Sequence, residues 1–301
     1  MAMSSVQSVA PTLFSGVGGV LGCGFSQHAL PPNSHYLSRT SYRHFLAHHH
    51  QLNLTDVGAV SELIHMLHPQ TIVHAACISS AQQCAAEPLL CQRINVDSTQ
   101  EIADAAQECG AHLIYISTEQ VFDGSAASYA EGSTPSASTA YGQSKAAAED
   151  IVLNSGGVVV RLPLLLGPGL GGQGGGADFA LLRALADNLQ PSLFVDEWRA
   201  PVAADEIWPM INMLGERKMQ GVFHLAGADV VTRYELGQLI CKAANVAADF
   251  RKSSIADFQG PRRSPRLALT SARAQQQLGY RPPSLWAVLL RLHSSSKLSL
   301  S

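Results

Sequence analysis

The fold is decided near the N-terminus by residues 12–22, T-L-F-S-G-V-G-G-V-L-G. The first of these, Thr12-Leu13-Phe14, predict a short strand, and the glycines that follow predict a turn that opens a helix. Gly16, Gly19 and Gly22 form the pattern G-x-x-G-x-x-G. Glycine at these points permits a tight turn, close approach of the backbone to a pyrophosphate, and close packing of helix on strand. The pattern therefore indicates a dinucleotide-binding turn, although a glycine-rich loop without a ligand would have the same sequence.

Apolar strands and helical segments alternate along the rest of the chain. Further strands are predicted at 35–39, 52–56, 71–76, 113–116, 158–162 and 222–227. The main helices are predicted at 60–67, 87–110, 179–189, 204–214 and 233–244, with Thr55 or Asp56 capping the first and Thr232 and Glu235 in capping-box spacing at the last. Because helices lie between strands throughout, we predict an α/β fold with a doubly wound parallel sheet of the Rossmann type.

The chain divides into two parts of unequal size. We predict a dinucleotide-binding Rossmann domain at 1–165 and a smaller, mainly substrate-binding C-terminal region at 166–301. Within the second part, the strand and helix at 218–245 are expected to return to the Rossmann domain. The glycine-rich stretch at 167–176 is the expected boundary, because such composition is typical of flexible connections.

The composition suits a compact globular protein and excludes several classes of function. Of the 301 residues, 46% are apolar and 14% are charged, and the net charge is −3 with the basic residues scattered. We therefore expect neither a nucleic-acid partner nor a membrane-surface partner. No apolar run approaches the roughly 18 residues of a transmembrane helix. Residues 1–11 lack the basic and apolar pattern of a secretory signal.

Cysteine and histidine usage points away from disulfide and metal chemistry. Six cysteines without a C-x-x-C pair do not predict a disulfide framework, which favours a reducing, cytoplasmic location. Cys77, Cys84 and Cys91 are seven residues apart, and we interpret them as an apolar stripe on one helix. The adjacent histidines at 48–50 share no helix face and have no evident further ligands, so no metal site is predicted.

The end of the second predicted strand bears on the choice of cofactor. Dinucleotide folds that bind NAD usually place an acidic residue there, which holds the ribose hydroxyls. This chain has Ser38 followed by Arg39, a pair better suited to a 2′-phosphate. NADP(H) is therefore favoured and NAD(H) is the alternative, while Arg39 as an ordinary surface residue is the simplest interpretation.

A proton donor is indicated by residues 139–145, T-A-Y-G-Q-S-K. In a helix, Tyr141 and Lys145 lie on one face because they are four residues apart. A phenol beside an ammonium has a lowered pKa, which suits general acid–base catalysis. Ser117 and Thr118 end the strand predicted just before them, and ligands bind at the carboxyl ends of strands in open α/β sheets. The Y-x-x-x-K spacing alone also occurs in solvated helices.

Together these motifs resemble an extended short-chain dehydrogenase/reductase, and more narrowly the dTDP-4-dehydrorhamnose reductase branch of that family. The similarity extends from residue 12 to residue 283, and F-D-G at 122–124 with the Y-x-x-x-K motif is its most specific part. The other stretches typical of the branch are Asn53-Leu54-Thr55-Asp56, Ile94-Asn95-Val96, Ser117-Thr118-Glu119-Gln120-Val121, Trp198-Arg199-Ala200-Pro201, Phe223-His224-Leu225-Ala226-Gly227, Arg233-Tyr234-Glu235-Leu236 and Leu278-Gly279-Tyr280-Arg281-Pro282.

The resemblance implies roles for particular residues. Tyr141 would protonate the new alkoxide, Thr118 would hydrogen-bond the substrate carbonyl or the Tyr141 hydroxyl, and Lys145 would bind the nicotinamide ribose while lowering the Tyr141 pKa. Substrate contacts are implied for Gln120 and Arg199. The implied cofactor-binding residues are Gly16, Gly19, Gly22, Ser38, Arg39, Asn53, Leu54, Ala75, Ala76, Asn95 and Lys145.

The implied activity is NAD(P)H-dependent reduction of a keto sugar nucleotide. The chain departs from the family pattern at Glu119 and Gln120, where Asp-Tyr is usual, and at Asn53, where aspartate is usual, so the identity of the sugar is left open. Two alternatives share the fold: a cofactor-binding regulatory subunit like the β subunit of methionine adenosyltransferase, and a nucleotide-sugar epimerase or dehydratase. The oligomeric state is also left open, a homodimer included.

Overall fold

A computed structural model describes residues 11–41, 48–170 and 174–293 of the chain. The expectations for residues 1–10 and for residues 171–173 of the glycine-rich stretch lie outside this part. Its strands are β1 (Thr12–Ser15), β2 (Ser34–Ser38), β3 (His49–Gln51), β4 (Thr71–His74), β5 (His112–Thr118), β6 (Val158–Leu162), β7 (Leu165–Leu166), β8 (Ser192–Phe194), β9 (Trp198–Arg199), β10 (Val202–Ala203), β11 (Gly221–His224), β12 (Val231–Thr232), β13 (Arg251–Ser253) and β14 (Arg266–Leu267).

Helices connect these strands and cover the large sheet on both faces. They are α1 (Val20–Phe25), α2 (Ala59–Leu67), α3 (Ala81–Ala86), α4 (Pro88–Gln92), α5 (Ser98–Cys109), α6 (Ala140–Asn154), α7 (Ala177–Ala186), α8 (Trp208–Glu216), α9 (Arg233–Ala244), α10 (Ala272–Leu278) and α11 (Leu285–His293).

A seven-stranded parallel sheet forms the centre of the molecule, in the order β11-β6-β5-β4-β1-β2-β3. From β1 the chain proceeds to β2 and β3 on one side and then crosses to β4, β5 and β6 on the other. The loops that leave β1 and β4 therefore diverge, and this switch point is where a doubly wound sheet opens a crevice for ligands. The prediction of a doubly wound Rossmann sheet is confirmed.

Both faces of the sheet are buried, which explains why its strands are almost continuously apolar. Successive residues alternate between two cores. Leu13 and Tyr115 belong to one core, whereas the adjacent Phe14 and Ile114 belong to the other. All four side chains are at most 2% exposed. Such strands give a strong sequence signal because each position is selected to be apolar.

Helix α1 is held against the sheet by aromatic residues from distant parts of the chain. Phe14 on β1, Phe25 at the end of α1 and Trp208 at the start of α8 have ring centroids 5.3–6.0 Å apart. A side chain on Gly24 would come within 2.5 Å of the Ala204 backbone, so only glycine permits this close packing of α1. The helix that follows the glycine turn is therefore fixed by residues near 204–208.

The C-terminal region adds short strands and a separate small core. Three small sheets pair β10 with β7, β13 with β8, and β9 with both β12 and β14. Helix α9 packs against α7, α11 and β8. Strand β11 joins the large sheet beside β6, but α9, which we expected to return with it in the segment 218–245, packs in this C-terminal core instead.

The third strand lies earlier than predicted. It is His49–Gln51 rather than 52–56, because the chain turns just after it: the Asn53 side chain accepts a hydrogen bond from the Thr55 amide at 3.3 Å. Helix α2 is preceded by Gly58 in the left-handed region (φ +80°), with no side-chain hydrogen bond to the cap. The predicted capping by Thr55 or Asp56 is therefore wrong.

The single helix predicted at 87–110 is divided. Pro88 occupies the first turn of α4, and a π-helical turn at Arg93–Asp97 joins it to α5. The cysteine stripe is also wrong. Cys77 follows β4, while Cys84 on α3 and Cys91 on α4 form a disulfide bond. The spacing of seven reflects two short helices folded against each other rather than one helix face.

The capping box at α9 provides a test of local structure. The Thr232 hydroxyl accepts from the Glu235 amide at 3.1 Å, and the Glu235 carboxylate accepts from the Thr232 amide at 2.8 Å, as predicted. Replacing Thr232 by Ala should lower the free energy of unfolding by about 1 kcal/mol. Thr232→Ser should keep most of the stabilisation that the cap provides, because serine also has a hydroxyl. Urea unfolding followed by circular dichroism would measure both; equal stabilities for the two variants would contradict the assignment.

Candidate functional site

A cavity of about 660 Å³ opens at the carboxyl ends of β1, β2, β4 and β5. It lies at the switch point of the sheet, where ligands bind in folds of this class. Most of the residues singled out in the sequence line it: Gly16, Gly19, Ser38, Arg39, Asn53, Leu54, Ala75, Ala76, Thr118, Tyr141 and Lys145. Among the lining residues, all within the described part of the chain, Arg39 and Lys145 are basic and none is Asp or Glu. The cavity is therefore electropositive.

The glycine turn forms one wall of the cavity. Gly16 is in the left-handed region (φ +78°), and a Cβ there would lie 2.4 Å from the Ala76 nitrogen. Its own amide donates to the Leu37 carbonyl at 3.1 Å. Gly19 differs, since a Cβ built on it would meet no atom within 4 Å. The turn thus presents open backbone to the cavity, which fits the close approach of a dinucleotide pyrophosphate.

Gly22 does not line the cavity, contrary to the role implied for it. It is buried in α1, and a Cβ there would lie 1.9 Å from the Val17 carbonyl oxygen. Its lack of a side chain lets the helix pack onto the preceding turn. In this structure, the third glycine of the motif packs α1 onto the turn and does not line the cavity.

Asn95 is a second residue that the structure moves away from the cavity. It is 1% exposed and sits in the π-helical turn. Its side chain accepts from the Ile78 amide at 2.8 Å and donates to the Ile78 carbonyl at 3.1 Å and to the Ser144 hydroxyl at 2.9 Å. Asn95 thus fixes Ile78, which does line the cavity, to the helix that carries Tyr141.

Three side chains meet on the β5 side of the cavity: those of Thr118, Tyr141 and Lys145. Thr139 caps α6 by accepting from the Gly142 amide at 3.1 Å. A Cβ on Gly142 would lie 2.1 Å from the Gln120 carbonyl oxygen, so the start of α6 packs directly on the turn after β5. This contact brings Tyr141 to Thr118, whose side chain hydrogen-bonds it.

The Lys145 ammonium is buried beneath these two residues. It donates to the Ile116 carbonyl at 2.6 Å and lies 3.9 Å from the centre of the Tyr115 ring. Burial lowers the pKa of Lys145, while the nearby Cys77 and Glu149 raise it. The lysine that was predicted beside Tyr141 is thus held by strand β5 and its neighbours.

The pKa of Tyr141 is raised, whereas the sequence predicted that it would be lowered. Burial and the neighbouring Cys77 raise it well above 10, and the hydrogen bond from Thr118 lowers it only in part. The Lys145 ammonium donates its hydrogen bond to the Ile116 carbonyl at 2.6 Å. The phenol therefore keeps its proton across the neutral pH range in this state.

A buried polar network supports strand β5 from behind. Ser117 donates to the Glu149 carboxylate, and Arg161 binds the same carboxylate through Nε at 3.0 Å and Nη2 at 2.6 Å. His224 lies 3.3 Å from Arg161 Nη1, and burial lowers its pKa to about 3. The pattern of the sequence did not single out this network, because its members come from four separate elements.

Arg199, for which the resemblance implied a substrate contact, is held in buried ion pairs in this structure. It is 6% exposed and pairs with Glu119 at 3.0 Å and with Glu197 at 2.9 Å. Burial raises the pKa of Glu119 to about 8, although Arg199 opposes the rise. Gln120 lies in the turn after Thr118 but does not line the cavity. Sequence reasoning identified Glu119 only as a departure from the family and missed its ion pair.

A parallel doubly wound sheet with a glycine turn at its switch point, and with Thr118, Tyr141 and Lys145 at the end of β5, defines an extended short-chain dehydrogenase/reductase. The chain belongs to the family described as RmlD substrate binding domain, whose model matches residues 11–293. The resemblance stated from the sequence is confirmed.

The relatives of this chain include a subunit of methionine adenosyltransferase and a reductase. It is 29% identical to methionine adenosyltransferase 2 subunit beta of Rattus norvegicus, over 92% of this chain and 88% of the relative. It is 26% identical to the probable low-salt glycan biosynthesis reductase Agl14 of Haloferax volcanii, over 78% of this chain and 81% of the relative. The structure of dTDP-4-dehydrorhamnose reductase from Bacillus anthracis str. Ames in complex with NADP superposes with a TM-score of 0.84 at 22% identity, covering 95% of this chain and 99% of that one.

The described residues contain neither a metal-binding cluster nor a membrane-spanning helix. In residues 11–41, 48–170 and 174–293, no group of three or more His, Cys, Asp or Glu side chains is arranged to hold a metal ion. Over the same ranges, no helix is both long enough and apolar enough to cross a membrane.

The different surroundings of Gly19 and Gly22 predict different mutant behaviour. Gly19→Ala should change the free energy of unfolding by no more than about 1 kcal/mol, but its methyl group should weaken NADPH binding at least about tenfold by filling the cradle. Gly22→Ala should cost roughly 1–3 kcal/mol through overpacking. Chemical unfolding would measure the stability of both variants, and fluorescence titration would measure their affinity for NADPH. A stable Gly22→Ala variant that fails to bind NADPH would restore a pyrophosphate role for Gly22.

Removing Arg199 should destabilise the fold rather than weaken ligand binding alone. Arg199→Ala leaves Glu119 buried without its ion-pair partner, while Glu197 keeps Arg263 at 3.0 Å, and the loss should cost about 3–5 kcal/mol. Arg262→Ala, at an exposed arginine of the same region, is the matched control and should stay within about 0.5 kcal/mol. A fully stable Arg199→Ala protein would show that the ion pairs contribute little.

Proposed function

We propose that this protein is an NADP(H)-preferring reductase of a keto group on a sugar nucleotide. The observation that carries the proposal is the position of Tyr141. Its buried hydroxyl, with Thr118 and Lys145, lines the β5 side of the same cavity that the glycine turn and Arg39 line on the β1 and β2 side. A nicotinamide cofactor of matching shape would thus be held next to a proton donor.

In this proposal, the residues of the cavity have distinct roles in the reaction. The bound nicotinamide cofactor supplies the reducing equivalent. Tyr141 donates a proton to the alkoxide oxygen as negative charge develops on it, and Thr118 orients the phenol through its hydrogen bond. The raised pKa of Tyr141 keeps the phenol protonated at neutral pH, so that its proton is available to the alkoxide. The buried Lys145 ammonium adds positive charge near the developing alkoxide, where low dielectric strengthens its effect.

The names of related proteins support this choice without deciding it. The relative from Haloferax volcanii is called a reductase, and the Bacillus anthracis enzyme is a dTDP-4-dehydrorhamnose reductase in complex with NADP. In this chain, Arg39 and the absence of an acidic residue among the described lining residues favour NADP(H) over NAD(H).

A second candidate is a cofactor-binding regulatory subunit. The similarity to methionine adenosyltransferase 2 subunit beta spans 92% of this chain. The ion pairs of Arg199 favour this candidate as well, since the guanidinium assigned to the substrate is already held by Glu119 and Glu197. In that role, the cavity would bind a nicotinamide nucleotide and the output would be the activity of a partner enzyme.

Turnover measurements distinguish the two candidates. We expect the native protein to oxidise NADPH when given dTDP-4-keto-6-deoxyglucose, and Tyr141→Phe to lower kcat by about 10²–10⁴-fold with NADPH affinity unchanged. Tyr234→Phe is the matched control, because this tyrosine packs on Phe250 in the C-terminal region and does not line the cavity. Its kcat should equal that of the native protein.

Three other outcomes would be informative. Undiminished turnover in Tyr141→Phe would refute the proton-donor role. Tight NADPH binding without turnover, together with a change in the activity of added methionine adenosyltransferase, would establish the regulatory role instead. Failure to bind either nicotinamide nucleotide would refute both candidates.

A further inference from the structure

One wall of the cavity is built by two short helices that follow β4. Gln83 on α3 and Leu90 on α4 both line the cavity. Helices of six and five residues are too short to be stable alone, because helix nucleation is costly. Contacts with the rest of the molecule must therefore hold this wall in place.

A disulfide bond joins the two helices. It links Cys84, which follows Gln83 on α3, to Cys91, which follows Leu90 on α4. The two cysteines are seven residues apart, so the bond closes a small loop and constrains this wall rather than the whole chain. The other cysteines, all in the described part of the chain, are free: Cys23, Cys77, Cys109 and Cys241.

The bond packs against the helix that carries Tyr141. Cys84 and Cys91 are 0% and 2% exposed, and they belong to one apolar cluster with Ile78 and Tyr141. The Ser144 hydroxyl, one turn after Tyr141, lies 3.5 Å from the Cys91 sulfur. Since Ile78 and Tyr141 both line the cavity, the bond contacts two of its sides from behind.

Breaking the bond would change the volume of this cluster. Two thiols need more room than two bonded sulfur atoms, because non-bonded heavy atoms prefer separations of about 3.5–4.0 Å. The cluster is buried, and packed interiors do not absorb added volume without movement. Reduction must therefore displace α3, α4 or both, and Gln83 and Leu90 would move with their helices.

We propose that the Cys84–Cys91 bond is a reversible modification site whose oxidation state sets the affinity of the cavity for its nicotinamide nucleotide. The disulfide form binds the nucleotide tightly and the dithiol form binds it weakly. Disulfide bonds in reducing compartments are usually transient and serve redox sensing or catalysis. This inference rests on the proposed function only in that the cavity binds a nicotinamide nucleotide, and it does not depend on turnover.

The chemistry of the switch is thiol–disulfide exchange. A dithiol reductant supplies two electrons and two protons, so that the S–S bond breaks, two S–H groups form and the reductant becomes a disulfide. A small-molecule disulfide, such as glutathione disulfide, reverses the step and leaves as two thiols.

Nucleotide binding and reduction of the bond should oppose each other. Because both sulfur atoms are buried, a reductant can reach them only when α3 or α4 opens locally. A nucleotide held against this wall hinders the opening. By linkage, a nucleotide that binds the disulfide form more tightly stabilises that form by the same factor.

Thiol counting and NADPH titration of the full chain test the inference together. Before reduction, the denatured protein should show four free thiols, and after incubation with dithiothreitol it should show all six. Reduction should weaken NADPH binding about fivefold or more, and glutathione disulfide should restore it. Saturating NADPH should raise the dithiothreitol concentration that is needed for half reduction. Circular dichroism should show the native fold in both forms.

Two serine variants separate this bond from the other cysteines. The double variant Cys84→Ser, Cys91→Ser cannot form the bond, so its NADPH affinity should equal that of the reduced native protein and should not respond to dithiothreitol. Cys109→Ser is the matched control, because Cys109 is a free cysteine at the end of α5 that does not line the cavity. It should respond to dithiothreitol as the native protein does.

Three results would overturn the inference. They are six free thiols even after treatment with glutathione disulfide, equal NADPH affinities of the two native forms, and a remaining response to dithiothreitol in the double variant. Failure of NADPH to bind either form would refute the proposed cofactor site as well. A protein that binds NADPH but reduces no keto sugar would refute the reductase alone, because the titration still decides this inference.

Discussion

The site depends on one close approach of backbone to backbone. The turn after β1 passes so near the end of β4 that a single carbon on Gly16 would lie 2.4 Å from the Ala76 nitrogen. This contact is possible only because β1 and β4 are neighbours in the sheet although β2 and β3 intervene in the chain. It sets the floor of the cavity, against which β2 contributes Arg39 on one side and β5 contributes Thr118 on the other.

Charge is arranged around this floor in two zones. Basic side chains line the cavity, while the acidic side chains nearby form buried ion pairs. Glu149 is bound by Arg161, and Glu119 by Arg199. Breaking such a pair is costly because it leaves an uncompensated buried charge. The acidic residues Glu119 and Glu149 next to β5 therefore join elements of the fold and do not line the cavity.

The sequence was sufficient to predict the central sheet, because strands that are buried on both faces are apolar at every position and are separated by helices. It also singled out Gly16, Tyr141 and Lys145, which line the cavity, because they belong to motifs of fixed spacing in a turn and a helix. It failed for Arg199 and Asn95, whose partners are far away in the chain or belong to another helix. A residue type suited to a phosphate or a cofactor can equally satisfy a buried carboxylate or a backbone amide, and only the tertiary pairing distinguishes these uses.

The aromatic contact of Phe14 and Phe25 with Trp208 has a consequence for the order of events during synthesis. The glycine turn is synthesised before the Trp208 ring that packs behind it, which lies nearly two hundred residues later in the chain. Until then, β1 and α1 have an unfilled apolar surface beside the future switch point. The packing behind the crevice can therefore be completed only after the chain has been synthesised as far as Trp208.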